Sequence, residues 1–145
     1  MNNENLKRRT KRFALAVIQF VEGLPKDRTS DILGRQLLRS GTSVGANYRA
    51  ACRAKSMPDF ISKLGNVEEE ADESGYWMDL LFESGKINAE QAAPLQKEAN
   101  ELLAIMVASI NTAKKSPRKA PTATTSNSAF SPRQSTPTAG RTPHG

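Results

Sequence analysis

Apolar residues recur along this chain three, four or seven positions apart, and they do so in four separate stretches. In the first, Leu6, Phe13, Val17, Phe20 and Leu24 share one side of a helix, Ala14, Ile18 and Val21 widen the stripe, and Gly23 with Pro25 ends it. The second carries Leu33, Leu37, Val44, Tyr48 and Ala51. It is expected to start at Thr29 or Ser30, either able to cap with Asp31 favouring the helix dipole, and to run to about Lys55. The third opens on a capping-box pattern, Ser56 with Asp59, and tolerates Pro58 in its first turn. Phe60, Leu64, Val67, Ala71, Ser74, Met78 and Leu81 then alternate four and three apart up to Gly85, a C-cap. Asn88 and Gln91 cap the fourth, in which Leu95, Ala99, Leu102, Met106 and Ala113 form the seam beside Leu103 and Ile110. Pro94 either falls within its first two turns or marks a later start.

No segment alternates as a strand does. The pattern therefore predicts an all-α protein, an antiparallel up-down four-helix bundle over residues 1–115. Residues 116–145 are Ser, Thr, Pro, Ala and Arg with one aromatic, Phe130. That composition buries too little apolar surface to offset ordering entropy, so a disordered basic tail is expected there. The predicted interior is built from Leu37, Gly41, Val44, Asn47 and Tyr48, from Phe60, Leu64, Ala71 and Met78, and from Leu102 and Met106.

One stretch, LLRSGTSVGANYRAA (37–51), resembles a glycine-rich phosphate loop. It lacks a preceding strand, and Ala46 rather than Lys follows Gly45. On a helix the same residues sort into two faces. Leu37, Gly41, Val44, Tyr48 and Ala51 gather on one, and Arg35, Arg39, Arg49 and Arg53 on the other. Gly41 and Gly45 lie one turn apart and admit a close helix neighbour, each at about 1 kcal/mol of helix propensity relative to Ala. Ser40, Ser43 and Asn47 flank the seam and are candidates for hydrogen bonds across the bundle.

Charge adds a functional hint. The formal net charge is +6, and it is unevenly placed. Residues 1–55 carry 12 Lys and Arg against 4 acids, residues 56–85 carry 1 against 8, and residues 116–145 carry 4 against none. The four arginines of the second helix span ~27 Å at 1.5 Å per residue, a length that matches successive phosphates. Lys7, Arg8, Lys11 and Arg12 form a second cluster on the outer side of the first helix. These faces suit RNA or DNA backbone binding. The same arginines also fit a solvated face, or one paired with the acids of the third helix or of a neighbouring subunit.

Catalysis and metal binding find little support. The one histidine, His144, falls in the tail, so the bundle has no Glu-x-x-His pair and Cys52 has no visible base. No cofactor is expected. A single cysteine, the Gln19 and Glu22 interruptions of the first apolar stripe and the lack of a membrane-length apolar run suit a cytoplasmic protein without a signal peptide or membrane partner.

RQLLRSGTSVGANYRAA (35–51) followed by MPDFISKLGNVEEEADESGYWMDLL (57–81) resembles the bacterial four-helix bundle proteins first associated with intervening sequences in large-subunit ribosomal RNA genes. More distantly it resembles the accessory variability determinant of diversity-generating retroelements. The resemblance covers about residues 5–115 and rests on Gln36, Leu37, Arg39, Ser43, Val44, Asn47 and Ala51, with Phe60, Ala71, Glu73 and Leu80. It implies a ring-like homopentamer. In the retroelement branch it implies a basic surface that meets nucleic acid and a reverse transcriptase, a partner only for a gene placed in such an element. Two functions stand open at this point. One is a non-enzymatic oligomer that binds RNA or DNA; the other is a protein-interaction scaffold without direct nucleic-acid binding.

Overall fold

Four polar side chains start the four helices. Asn2, Asp27, Ser56 and Asn88 stand in extended backbone, and each accepts the backbone N–H of the residue three positions on: Asn5, Ser30, Asp59 and Gln91. Each bond satisfies a donor that a first helical turn leaves without a partner. The helices they open are α1 (Asn3–Glu22), α2 (Arg28–Ala51), α3 (Met57–Glu83) and α4 (Ala89–Lys115), in a computed structural model that describes residues 2–116. No strand occurs among the described residues. The expected tail lies outside them beyond Ser116.

Two boundaries differ from expectation. Asp27, and not Thr29 or Ser30, caps α2, because its carboxylate reaches both the Ser30 N–H at 2.8 Å and the Ser30 hydroxyl at 3.2 Å. The same helix ends at Ala51 and not near Lys55. Ser56 must be extended to cap α3, and the Lys55 N–H is taken by the Asp59 carboxylate at 3.1 Å, so the chain leaves the helix ahead of both. Asn88 and Gln91 form the full reciprocal capping box, and Pro94 sits sixth in α4 on its exposed side, where the Glu90 carbonyl it leaves unbonded faces water. Past the C-cap Ser84, Gly85 adopts a φ of 83°. The Gly85 N–H bonds the Phe82 carbonyl and the Lys86 N–H bonds the Leu81 carbonyl, a Schellman ending that sends the chain into α4.

Pairwise contacts set the antiparallel order. Gly34 meets Leu24 and Val21, Gly41 meets Val17 and Gly45 meets Thr10, so α2 descends as α1 rises. Ser40 faces Ser74 across α2 and α3, and Gln96 of α4 donates to the Gly75 carbonyl of α3. Neighbours in sequence are neighbours in space, and of the helix pairs that touch, α1 and α4 do so least. Leu37, Val44, Tyr48, Leu64, Ala71, Met78, Leu102 and Met106 are buried as expected, as is Gly41. Phe60 is half-buried against the same core.

Asn47 departs from its expected place in the interior. It is half-buried, and its Nδ2 donates to the Ser43 carbonyl one turn back at 2.9 Å. Ser43 likewise donates to the Arg39 carbonyl. Short polar side chains in a helix find a carbonyl of their own helix before they find a partner across the bundle. Only Ser40 of the three bonds across it, accepting from the Ser74 hydroxyl at 3.0 Å where both side chains are fully buried.

Candidate nucleic-acid interface

The eight basic residues singled out from sequence do not form one surface. In α2, Arg35 pairs with Asp31 of its own helix at 2.9 Å, and Arg39 crosses to Glu70 and Glu73 of α3. Arg39 is held firmly protonated by the hydrogen bond it donates to Glu73 and by the charge of both acids. Burial raises the Glu70 carboxyl above its ordinary value, Glu73 adds to the rise, and Arg39 opposes it without reversing it. Trp77 ties the group down by donating from Nε1 to Glu73. Half of the proposed arginine row is therefore neutralised inside the chain.

The other half is not. Arg49 is exposed and Arg53, one residue past the C-cap of α2, donates to the Arg49 carbonyl at 3.4 Å. Neither residue forms an ion pair among the described residues, nor do Lys11 and Arg12. Arg8 donates to Asn5, and Lys7 lies 3.5 Å from Glu4. Lys7 and Lys11 stand on the side of α1 that turns toward α2, by their 100° helical spacing from Ala14, Ile18 and Val21, and Val21 meets Gly34 of α2. Tyr48 donates to Asn3 at 3.1 Å and locks the end of α2 against the start of α1. The outer basic cluster of α1 and the last arginines of α2 thus meet at one end of the bundle.

That end gathers charge from all four helices. Its segments 2–12, 45–66 and 105–116 hold eleven Lys and Arg with two carboxylates, Glu4 and Asp59, and Glu98 and Glu101 of α4, just inside them, take up Arg9. Glu4 pairs with Lys7, and Asp59 pairs with Lys63 at 2.6 Å. Burial would lift the Asp59 carboxyl, yet the bonds from Lys63 and the Lys55 N–H hold it below its ordinary value. With Ser40 opposite Ser74 and Gly45 beside Thr10, the α3 carboxylate Glu69 comes level with the inner edge of these segments. Charge in this bundle is sorted along its length as much as between its helices.

Sequence reasoning grouped Arg9 with none of the named cations, and it has a different role. Its guanidinium forks onto Glu98 at 2.7 and 2.9 Å and reaches Glu101 at 2.6 Å, bridging the loosely joined α1 and α4. The i, i+4 pattern gives no sign of a partner 89 residues away. Cys52 is buried, which raises its thiol, and it offers no reactive group at the surface. Among the described residues no group of His, Cys, Asp and Glu is placed to hold a metal, and no helix is long and apolar enough to cross a membrane. A depression of about 510 Å³ lies at the opposite end of the bundle, lined by Val21, Leu24, Pro25 and Leu38 under a rim that mixes Asp27 and Asp31 with Arg28 and Arg35.

Comparison with known proteins gives two findings. A family model described as 23S rRNA-intervening sequence protein matches residues 3–108, most of the chain. A crystal structure of a protein from the S23 ribosomal protein family of Bacteroides thetaiotaomicron, described as of unknown function, is similar at 32% identity, with a TM-score of 0.71, over 77% of this chain and 99% of that one. No curated protein matches.

Proposed function

This chain belongs to the 23S rRNA-intervening sequence protein family, and we propose that it is a non-enzymatic, self-associating protein that binds RNA or DNA through the basic end of its bundle. The observation that carries the reading is that Lys11, Arg12, Arg49 and Arg53, on helix ends that Tyr48 and Asn3 join, form no ion pair among the described residues. A folded domain gains nothing in stability from crowding like charges, whereas a polyanion gains counterion release at each contact. Exposed cations on helices of fixed spacing favour backbone contact over base reading, so binding is salt-sensitive and largely independent of sequence. Titration of labelled RNA and DNA at two salt concentrations tests this. Binding at low salt that weakens steeply at high salt is expected, and no binding at low salt would refute it.

The scaffold reading retains one specific support. Glu68, Glu69, Asp72 and Glu83 of α3 form no ion pair among the described residues, and Tyr76, 55% exposed, stacks edge-on to Trp77 in their midst. An acidic surface with an exposed aromatic suits the basic end of a second copy. Light scattering on charge-reversed α3 variants separates the two: assembly lost with nucleic-acid binding intact assigns the acids to self-association, which the resemblance puts at five copies. A cytoplasmic setting and the absence of a cofactor belong to the same proposal.

A further inference from the structure

Two rows of outward side chains, spaced three or four residues apart, run down the bundle on α1 and α3. On α1 the row is Arg8, Lys11, Leu15 and Ile18, and on α3 it is Glu69, Asp72, Tyr76 and Leu80. Each falls within an arc of ~80° at 100° per residue, on the side of its helix away from the buried Phe13 and Val17, or from Ala71 and Met78. The four charged members are exposed and form no ion pair among the described residues. Leu15 is 53% exposed and Tyr76 55% exposed, Ile18 is exposed beside Leu15, and Leu80 is half-buried. Trp77 meets the Tyr76 ring edge-on at 5.2 Å and is itself bonded to Glu73, so the aromatic is presented in a fixed pose. α1 and α3 do not touch, so they occupy diagonal corners of the bundle. Within one chain the two rows face apart and cannot meet.

Contacts inside the bundle fix the heights of the rows. Thr10 lies beside Gly45, and Ser40 opposite Ser74 puts Gly45 level with Glu69, so Thr10 and Glu69 share a layer. By the same count Val17, beside Gly41, shares a layer with Glu73. Arg8 and Lys11 flank the first layer, and Leu15 and Ile18 flank the second. Cations thus stand at the height of acids, and apolar side chains at the height of Tyr76.

We propose that the α1 row of one copy docks on the α3 row of the next, with Arg8 and Lys11 against Glu69 and Asp72, and Leu15 and Ile18 against Tyr76 and Leu80. The inference rests on the self-association reading and adds to it a second face, the apolar ridge of α1. Both helices run in the same direction, and the shared layers let a rotation about an axis parallel to the bundle join the rows without a shift along it. Opposite charges then fix the register around an apolar centre. The contact uses different faces of the two copies, so it passes from copy to copy until a ring closes. Glu22 and Glu83 end α1 and α3 with like charges, which stops the contact short of the far end of the bundle.

The test is light scattering on the full chain, free of nucleic acid, with circular dichroism to follow helicity. The natural chain is expected to form an assembly of more than two copies. Leu15→Gln with Ile18→Gln, and separately Tyr76→Gln, should reduce it toward single chains with helicity unchanged, because all three side chains are exposed. Arg8→Glu with Lys11→Glu should do the same, as should Glu69→Lys with Asp72→Lys. The chain that carries all four reversals should reassemble, a recovery that requires the two rows to meet. Unchanged assembly in every variant would overturn this surface and leave self-association standing. Losses in the paired reversals without recovery in the fourfold variant would overturn the pairing of the rows. Assembly that stops at two copies would overturn it as well, because a closed pair uses one face twice. A natural chain that stays single at every concentration overturns both this contact and the self-association it rests on.

Discussion

Val17 occupies the space above Gly41: a Cβ on Gly41 would lie 2.8 Å from Val17 Cγ2 and 2.9 Å from Cγ1. Val17 is fully buried and branched at Cβ, so it has little room to turn aside. At Gly45, one turn on, an added Cβ would meet the Thr10 backbone at 3.4 Å, an ordinary contact. The two glycines look equivalent in sequence and are not. Gly41→Ala is expected to cost up to about 2 kcal/mol, since overpacking of roughly 1 to 3 kcal/mol is offset by a helix gain of about 1. Gly45→Ala is expected to be neutral or to stabilise by up to about 1 kcal/mol. Urea unfolding of both variants checks the pair, and equal effects would contradict this packing.

The Ser40–Ser74 hydrogen bond predicts a non-additive pair. Ser74 donates to Ser40 at 3.0 Å and also lies 2.8 Å from the Glu70 carbonyl, while Ser40 lies 3.3 Å from the Leu37 carbonyl. Ser74→Ala should cost about 1 kcal/mol, because a buried hydroxyl on α2 loses a partner. Ser40→Ala with Ser74→Ala should cost less than the sum of the single changes, since no buried group then loses a partner on the facing helix. A double-mutant cycle in urea measures the difference.

Opposite pH behaviour is expected at Asp59 and Glu70. The Asp59 carboxyl is held below its ordinary value, so its charged form stabilises the fold above the ordinary range near pH 4, and that stability is lost as pH falls through the depressed value. Asp59→Asn should therefore destabilise at neutral pH, with the difference closing in acid. Burial raises the Glu70 carboxyl instead, so its ionisation opposes folding at neutral pH and protonation favours the fold. Glu70→Gln should be harmless or slightly stabilising at neutral pH. Thermal unfolding of both variants from neutral pH into acid reads the two signs.

Arg9 is the tie across α1 and α4, the least intimate of the helix pairs in contact. Its side chain is one-fifth exposed, and its fork onto Glu98 gives two parallel bonds rather than one. Arg9→Gln should lower stability by about 1 kcal/mol, the upper range for a partly exposed pair. Hydrogen exchange should accelerate in α1 more than in α3. Uniform acceleration across the bundle would argue against a local role.

Four helices were legible because their apolar spacing is local, and so were the caps at Ser56 and Asn88. The cap at Asp27 was obscured by Thr29 and Ser30, which carry equally good capping side chains. The arginine face of α2 was only half legible. Periodicity put Arg35, Arg39, Arg49 and Arg53 on one side of a helix, but it could not say that Arg39 faces Glu70 and Glu73 of α3, or that Arg49 and Arg53 lie at the bundle end that holds Lys7 and Lys11. Those relationships depend on which helix ends share a layer, and the up-down order decides that only after folding. Segment charges along the chain separated basic α2 from acidic α3 and concealed the sorting along the bundle axis.

The central claim is that the end of the bundle, and not the length of α2, meets the nucleic-acid backbone. Fluorescence anisotropy of a labelled RNA, titrated at several salt concentrations, tests it with two full-length variants. One carries Lys7, Lys11, Arg49 and Arg53 all changed to Gln, the other Arg35 and Arg39 changed to Gln. The end variant should lose affinity and flatten the salt dependence by about 0.7 per lost contact on a single strand, while the Arg35 and Arg39 variant binds as the natural chain does. Equal losses, or a loss confined to the Arg35 and Arg39 variant, would contradict the account.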